Sequence, residues 1–172
     1  MAQICSDASR APGRHNVTAR LGAAFFLIGS IPALTGTGSR LLIIPAAGIG
    51  SRLGADVPKV LVKVGGTTML ERLLNLYRPW VGHIVLVVNP ASEDPIRKHV
   101  QSSLDAGRIT CVQQPQPTGM LDAILGANVV ARRTEPTSVW ITWCDQIGVQ
   151  PGTIARLGER TSSAAHACGV SC

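Results

Sequence analysis

From Leu41 onward the chain alternates short aliphatic runs with longer segments of helical period, and no other feature limits the possible folds as strongly. Leu41–Pro45, Ile84–Val88, Ile109–Gln113 and Val139–Trp143 have the length and the branched, apolar character of buried strands. Between them, Met69–Tyr77 places Leu70, Leu73, Leu74 and Tyr77 on one helical face. Ser92–Leu104, Met120–Ala131 and Gly152–Arg160 are the other stretches that read as helices. Strand and helix in regular alternation predict an α/β fold: a doubly wound, mostly parallel sheet with right-handed crossovers. Such sheets bind their ligands at the carboxyl ends of the strands. The loops Ala46–Lys59, Gln114–Gly119 and Cys144–Gly148 are therefore where chemistry is expected.

Composition agrees with this architecture. A chain of 172 residues with 45% hydrophobic residues has material for one core, and an aromatic share of 3% requires that core to be built from Val, Ile, Leu and Ala. The net charge of +6 is spread along the chain, without a Lys/Arg run interleaved with aromatics, so nucleic-acid binding has little support. A small polyanion suits the charge better. The five cysteines, at 5, 111, 144, 168 and 172, form no C-x-x-C pair and have no histidines at zinc spacing, which points to reduced thiols and a cytoplasmic setting.

The first forty residues read differently. Arg10, Arg14 and Arg20 precede an apolar stretch from Leu21 to Leu34, an order that resembles a secretory signal. The run is too short to span a bilayer and no small-residue cleavage site follows cleanly, so no membrane association is expected. Residues 1–40 read as a poorly ordered N-terminal extension, 41–160 as a single α/β domain, and 161–172 as an irregular tail.

The loop after the first predicted strand runs Ala46-Ala47-Gly48-Ile49-Gly50-Ser51-Arg52-Leu53 and on to Pro58-Lys59. Gly48 and Gly50 let backbone N–H groups approach an anion without a Cβ in the way. The small Ala46 and Ala47 leave room for a flat base or a ribose. Arg52 and Lys59 supply two cations suited to a triphosphate whose charge shifts during reaction. A dinucleotide loop of the G-x-G-x-x-G type is disfavoured, because Leu53 stands at the third glycine position. So is a P-loop, because Lys59 follows Pro58 instead of a glycine.

The whole string resembles the signature of the sugar-phosphate nucleotidyltransferases, A-A-G-x-G-[ST]-R-[LM] followed by P-K. It is most similar to the uridylyltransferase domain that makes UDP-N-acetylglucosamine and to the molybdenum-cofactor guanylyltransferase-like NTP transferases. The resemblance implies a Rossmann-like sheet of the nucleotide-diphospho-sugar transferase type. It implies Arg52 and Lys59 as catalytic, phosphate-holding residues, and Ala46, Ala47, Gly48, Gly50 and Ser51 as nucleotide-binding. Gln114 and Gly119 match the family's Q-x-x-x-x-G-T segment, where the Gln recognises the base and the Gly lies near the ribose; Met120 stands where the family has Thr. Cys144-Asp145 is similar to the family's G-D, whose Asp binds Mg²⁺. That makes Asp145 the expected metal ligand, with Cys144 narrowing its approach.

The activity so implied is transfer of a nucleoside monophosphate from an NTP to a small phosphorylated acceptor such as a sugar 1-phosphate, with Mg²⁺ as cofactor and pyrophosphate as leaving group. The acceptor oxygen is ionised at neutral pH, so no general base is required, and no Ser/His/Asp or Cys/His arrangement is visible. The resemblance is read over residues 41–160. On that reading the sheet is incomplete at its C-terminal side and lacks the acceptor pocket and second metal ligand of full-length relatives. A non-catalytic nucleotide-binding fragment of the same lineage is the alternative, and an NAD(P)-binding domain a more distant one.

Overall fold

Alternate residues of the central strands point to opposite faces of one sheet, and both faces are apolar. The computed structural model describes residues 26–28, 40–48 and 57–163. Its strands are β1 (Phe26–Ile28), β2 (Arg40–Pro45), β3 (Lys63–Val64), β4 (Thr67–Thr68), β5 (His83–Val88), β6 (Ile109–Gln113) and β7 (Ser138–Ile141). Its α-helices are α1 (Met69–Tyr77), α2 (Pro90–His99), α3 (Gln101–Asp105), α4 (Met120–Gly126), α5 (Asn128–Thr134) and α6 (Pro151–Ser163). The main sheet has the order β1-β6-β5-β2-β7; β2 is parallel to β5 and β7, and β5 to β6. The doubly wound, mostly parallel sheet expected from the sequence is what forms.

Leu42, Ile44, Ile84, Leu86 and Val88 pack on one face with Leu70, Leu73 and Leu74 of α1, Ile96 of α2 and Ile154 of α6. Leu41, Ile43, Val85, Val87 and Val112 pack on the other with Ala123 of α4 and Val130 of α5. With both faces covered, the strands read as continuous apolar runs. From β2 the chain steps outward to β5 and β6, then crosses back to lay β7 on the other side of β2. The strand order thus reverses at β2. This is the crevice where sheets of this kind hold ligands.

The structure departs from the sequence reading at several elements. Phe26–Ile28 lies within the stretch expected to be a poorly ordered extension, yet it pairs antiparallel with β6, Phe26 opposite Gln113 and Ile28 opposite Cys111. A strand laid there covers an edge of β6 that would otherwise present unpaired backbone groups. The helix expected over Ser92–Leu104 starts earlier, at Pro90, and breaks at Val100, whose φ of −107° and ψ of 15° are not helical. That break keeps Val100 at 2% exposure in the core. The helix expected over Met120–Ala131 likewise divides at Ala127, and α6 runs on to Ser163, past the expected domain boundary.

Between β2 and α1 the chain makes a 3-10 turn at Lys59–Leu61 and a two-stranded hairpin, β3 with β4. Gly65 and Gly66 form its turn with φ of 59° and 86°, values that favour glycine at both central positions of a tight hairpin. Thr68 then caps α1: its hydroxyl accepts from the Glu71 N–H at 3.1 Å while the Glu71 carboxylate accepts from the Thr68 N–H at 3.1 Å. The hairpin and cap fix the path between Lys59 and the helix packed beneath the sheet.

Candidate active site

The sheet carries β2 as far as Pro45, and two hydrogen bonds fix the chain just beyond it. The Ala46 N–H donates to the Val87 carbonyl at 2.7 Å, extending the β2–β5 ladder by one residue. The Ala47 carbonyl accepts from Asn89 Nδ2 at 2.8 Å. Asn89 is also the N-cap of α2, its Oδ1 accepting from the Ser92 N–H at 2.8 Å, with Pro90 as the first helical residue. Sequence reading passed over Asn89, although Asn-Pro between a strand and a helical pattern is a cap signature.

These residues line a pocket of about 470 Å³ at the carboxyl ends of β2, β5 and β6. Its walls are Ala47 and Gly48 from the first loop, Val57 and Pro58 from the far end of that loop, Asn89 to Ser92 from the start of α2, and Gln114, Pro115 and Pro117 from the third. Gly48 is exposed, and a Cβ there would meet nothing within 4 Å, so the open space in front of it belongs to the pocket mouth. The volume lies in the range of small-ligand sites, which run from roughly 300 to 1,000 Å³.

Gln114 is 4% exposed. Its Nε2 donates to the Gly119 carbonyl at 3.1 Å and to Thr118 Oγ1 at 3.3 Å, so the side chain braces its own loop while forming part of the pocket wall. Gly119, the residue before α4, has a φ of 119°, a conformation in which a side chain would be strained. Gly50, Ser51 and Arg52 lie outside the described residues.

The two charged candidates that are described meet. Lys59 Nζ donates to Asp145 Oδ2 at 2.6 Å. Lys59 follows the pocket residue Pro58 and opens the 3-10 turn, while Asp145 stands beyond the end of β7. The Lys59 hydrogen bond holds the Asp145 carboxyl below its ordinary pKa, against a smaller opposing effect of burial. Asp145 is thus a carboxylate at neutral pH.

A polar relay holds the turn that carries it. The Thr142 N–H donates to the Ile43 carbonyl at 3.1 Å, continuing the ladder past Ile141, where the regular strand stops short of the expected Trp143. Tyr77 OH donates to Thr142 Oγ1 at 3.1 Å, and that hydroxyl donates in turn to Gln146 Oε1 at 3.2 Å. The Gln146 N–H closes the turn on the Trp143 carbonyl at 3.1 Å. Cys144 packs partly buried against the core, where burial raises its thiol pKa. It therefore acts as a small apolar residue of the turn. Cys111 is fully buried in β6 and its pKa is pushed up to about 11 by desolvation, which makes it an unreactive core thiol.

Among the described residues no cluster of three or more His, Cys, Asp and Glu could hold a metal by itself. Asp145 is a single hard oxygen donor beside a cation. That donor set fits Mg²⁺, which commonly takes one or two carboxylates and completes its shell with water and substrate phosphates. Among the described residues no helix is long and apolar enough to cross a membrane.

A sheet reversing at its first parallel strand, with a glycine-containing loop, a pocket and a Lys–Asp pair at the carboxyl ends, defines a doubly wound α/β domain with its ligand crevice at the strand-order reversal. The chain belongs to the MobA-like NTP transferase domain family, whose model matches residues 42–171. It is 34% identical over 104 residues to 2-C-methyl-D-erythritol 4-phosphate cytidylyltransferase of Photorhabdus laumondii, covering 59% of this chain and 41% of that protein. It is 33% identical over 124 residues to the bifunctional protein GlmU of Coxiella burnetii, covering 71% of this chain and 26% of that one. The chain thus matches less than half the length of these curated relatives. The crystal structure of a Mycobacterium tuberculosis protein superposes with a TM-score of 0.53 at 23% identity, covering 74% of this chain and 62% of that one, a likeness of fold.

Proposed function

We propose that this chain binds a nucleoside triphosphate together with Mg²⁺ and transfers its nucleoside monophosphate to a phosphorylated acceptor, releasing pyrophosphate. The observation that carries this reading is the 2.6 Å pair of Lys59 with Asp145, next in sequence to a pocket wall formed by Ala47, Gly48 and Pro58. On this reading the base and ribose occupy the pocket against Ala47, Gly48 and Gln114, with Gly119 near the ribose. The triphosphate extends toward Lys59 and, from the loop outside the described residues, Gly50, Ser51 and Arg52. Asp145 would hold Mg²⁺, which supplies neutralisation of phosphate charge during the displacement.

In the proposed reaction an acceptor phosphate oxygen, already ionised, forms a bond to the α-phosphorus as the bond to pyrophosphate breaks. No proton has to be removed, and the protein's part is positioning and charge stabilisation. Lys59 would pass from Asp145 to the phosphates as the metal arrives. A sugar 1-phosphate is the acceptor class that the family resemblance favours, and the similarity to a cytidylyltransferase adds a polyol phosphate.

A thermal-shift and calorimetric screen of CTP, UTP, GTP and dTTP, with and without Mg²⁺, tests the binding step. A ligand at a hundred times its Kd should stabilise the fold by about 2.7 kcal/mol. Absence of Mg²⁺-dependent binding with all four nucleotides would sink the reading. Binding without pyrophosphate release across sugar 1-phosphates and polyol phosphates would leave a nucleotide-binding fragment instead of a transferase.

A further inference from the structure

Asn89 uses both ends of its side-chain amide, and the two bonds run to different parts of the pocket wall. Oδ1 accepts from the Ser92 N–H at 2.8 Å and caps α2; Nδ2 donates to the Ala47 carbonyl at 2.8 Å. The cap alone does not require asparagine, since Ser and Asp cap helices about as well. The second bond does require it. Asp has no donor, and Ser is too short to cap the helix and reach Ala47 as well.

The bond to Ala47 comes where the sheet's own hydrogen bonds run out. Among the described residues of the loop, Ala46 is the last one tied to the β5 ladder, through its N–H on the Val87 carbonyl at 2.7 Å. The peptide between Ala47 and Gly48 is planar and trans, so a carbonyl held by Asn89 fixes the Gly48 N–H pointing the opposite way within that plane. Gly48 is exposed, and a Cβ built on it meets nothing within 4 Å. Ala47, Gly48, Asn89 and Ser92 all line the same pocket.

We propose that Asn89 is a positioning residue for nucleotide binding: it ties the start of the glycine-containing loop to the N-terminus of α2 and so sets the first loop peptide before the ligand arrives. This rests on the nucleotide-binding reading of the pocket. Preorganising the loop removes an ordering cost from binding, so losing the tie weakens affinity without weakening the helix cap.

The test compares full-length parent, Asn89→Ser and Asn89→Ala by thermal unfolding, by calorimetry with the four nucleoside triphosphates plus Mg²⁺, and by amide hydrogen exchange. Asn89→Ser should keep the protection of α2 and melt only slightly below the parent, by the loss of one hydrogen bond. It should speed exchange at 46–48 and weaken nucleotide affinity roughly two- to tenfold, the worth of one hydrogen bond. Asn89→Ala should lose the cap as well and melt earlier. Parent-like affinity in Asn89→Ser overturns the proposal, as does weakened affinity with unchanged exchange at 46–48, which would mean direct contact with the ligand. A parent that binds none of the nucleotides overturns the functional reading, and this proposal with it.

Discussion

Lys59 and Asp145 stand 86 positions apart in the sequence and 2.6 Å apart in space, so the cation proposed for the phosphates and the carboxylate proposed for the metal form one ion pair. Their side chains are 30% and 49% exposed. Solvent screening at that exposure limits the pair's contribution to stability to below about 1 kcal/mol. Lys59→Met should therefore barely move the melting temperature. The same substitution should weaken Mg²⁺–NTP binding by about 1.5–3 kcal/mol, the range for hydrogen bonds to charged groups. Asp145→Asn should flatten the Mg²⁺ dependence of that binding in a calorimetric titration. A large stability loss with unchanged binding would make the pair structural.

The pair also sets an acid-side expectation. Asp145 has a folded-state pKa lowered from its ordinary 3.8, chiefly by the Lys59 hydrogen bond. Its stabilisation is present above 3.8 and is lost as pH falls through the folded value. Denaturant unfolding of parent and Lys59→Met should differ slightly at neutral pH and converge in acid.

Gln146 is expected to matter beyond its own exposure, because it ends the relay from Tyr77 through Thr142. Replacing it by Leu leaves the nearly buried Thr142 hydroxyl without its acceptor, at a cost of about 1–3 kcal/mol. The turn carrying Asp145 should loosen with it. Gln146→Leu is expected to lower both the denaturation midpoint and the Mg²⁺ dependence of nucleotide binding. Tyr77→Phe, at the far end of the relay, should affect mainly stability. Parent-like unfolding of Gln146→Leu would show that the relay holds nothing.

His83, at the start of β5, is 1% exposed and bonded to Thr110 Oγ1 at 2.8 Å. Burial lowers its pKa from 6.5, partly opposed by the backbone of Gly107. The unfolded chain therefore binds the proton more readily. The neutral ring's contribution is complete above 6.5 and is lost as pH falls from there through the folded value. A pH series of urea midpoints should fall on the acid side of neutrality, and His83→Gln should remove that part of the fall. An identical pH slope in the variant would assign it to other groups.

The sequence made the centre of the sheet legible because Leu41–Pro45 and Ile84–Val88 are buried on both faces and so are apolar at every position. The pairing of Lys59 with Asp145 was not legible, because it depends on the strand order, which brings the loop after β2 to the end of β7. Other features were set by tertiary contacts that leave little local trace. Val100 breaks a helix without glycine or proline because the core takes its side chain. The three residues of β1 are too few for a strand pattern, and the arginines before them resemble a leader instead. Asn89 carried a readable signal as a cap, but nothing local indicated its bond to Ala47, 42 positions away.

The same strand order leaves β7 paired only with β2 among the described residues. Val139 and Ile141 lie beside Leu41 and Ile43 and share their face, but the α4–α5 layer that buries Leu41 and Ile43 does not cover β7. Val139 and Ile141 on β7, and Trp143 just beyond it, are 46%, 47% and 37% exposed, an alternating apolar row beside an edge left open among the described residues. Rows of this kind recruit another strand or another apolar surface unless a charge interrupts them. The chain should therefore self-associate as its concentration rises, and Ile141→Lys, with a charge in the middle of the row, should shift it toward monomer. Nucleotide binding should persist in that variant, since Ile141 neither lines the pocket nor belongs to the turn around Asp145. Sedimentation velocity over a range of concentrations measures the effect. A parent that stays monomeric throughout, or a variant that associates as strongly as the parent, would show that this edge is not the associating surface.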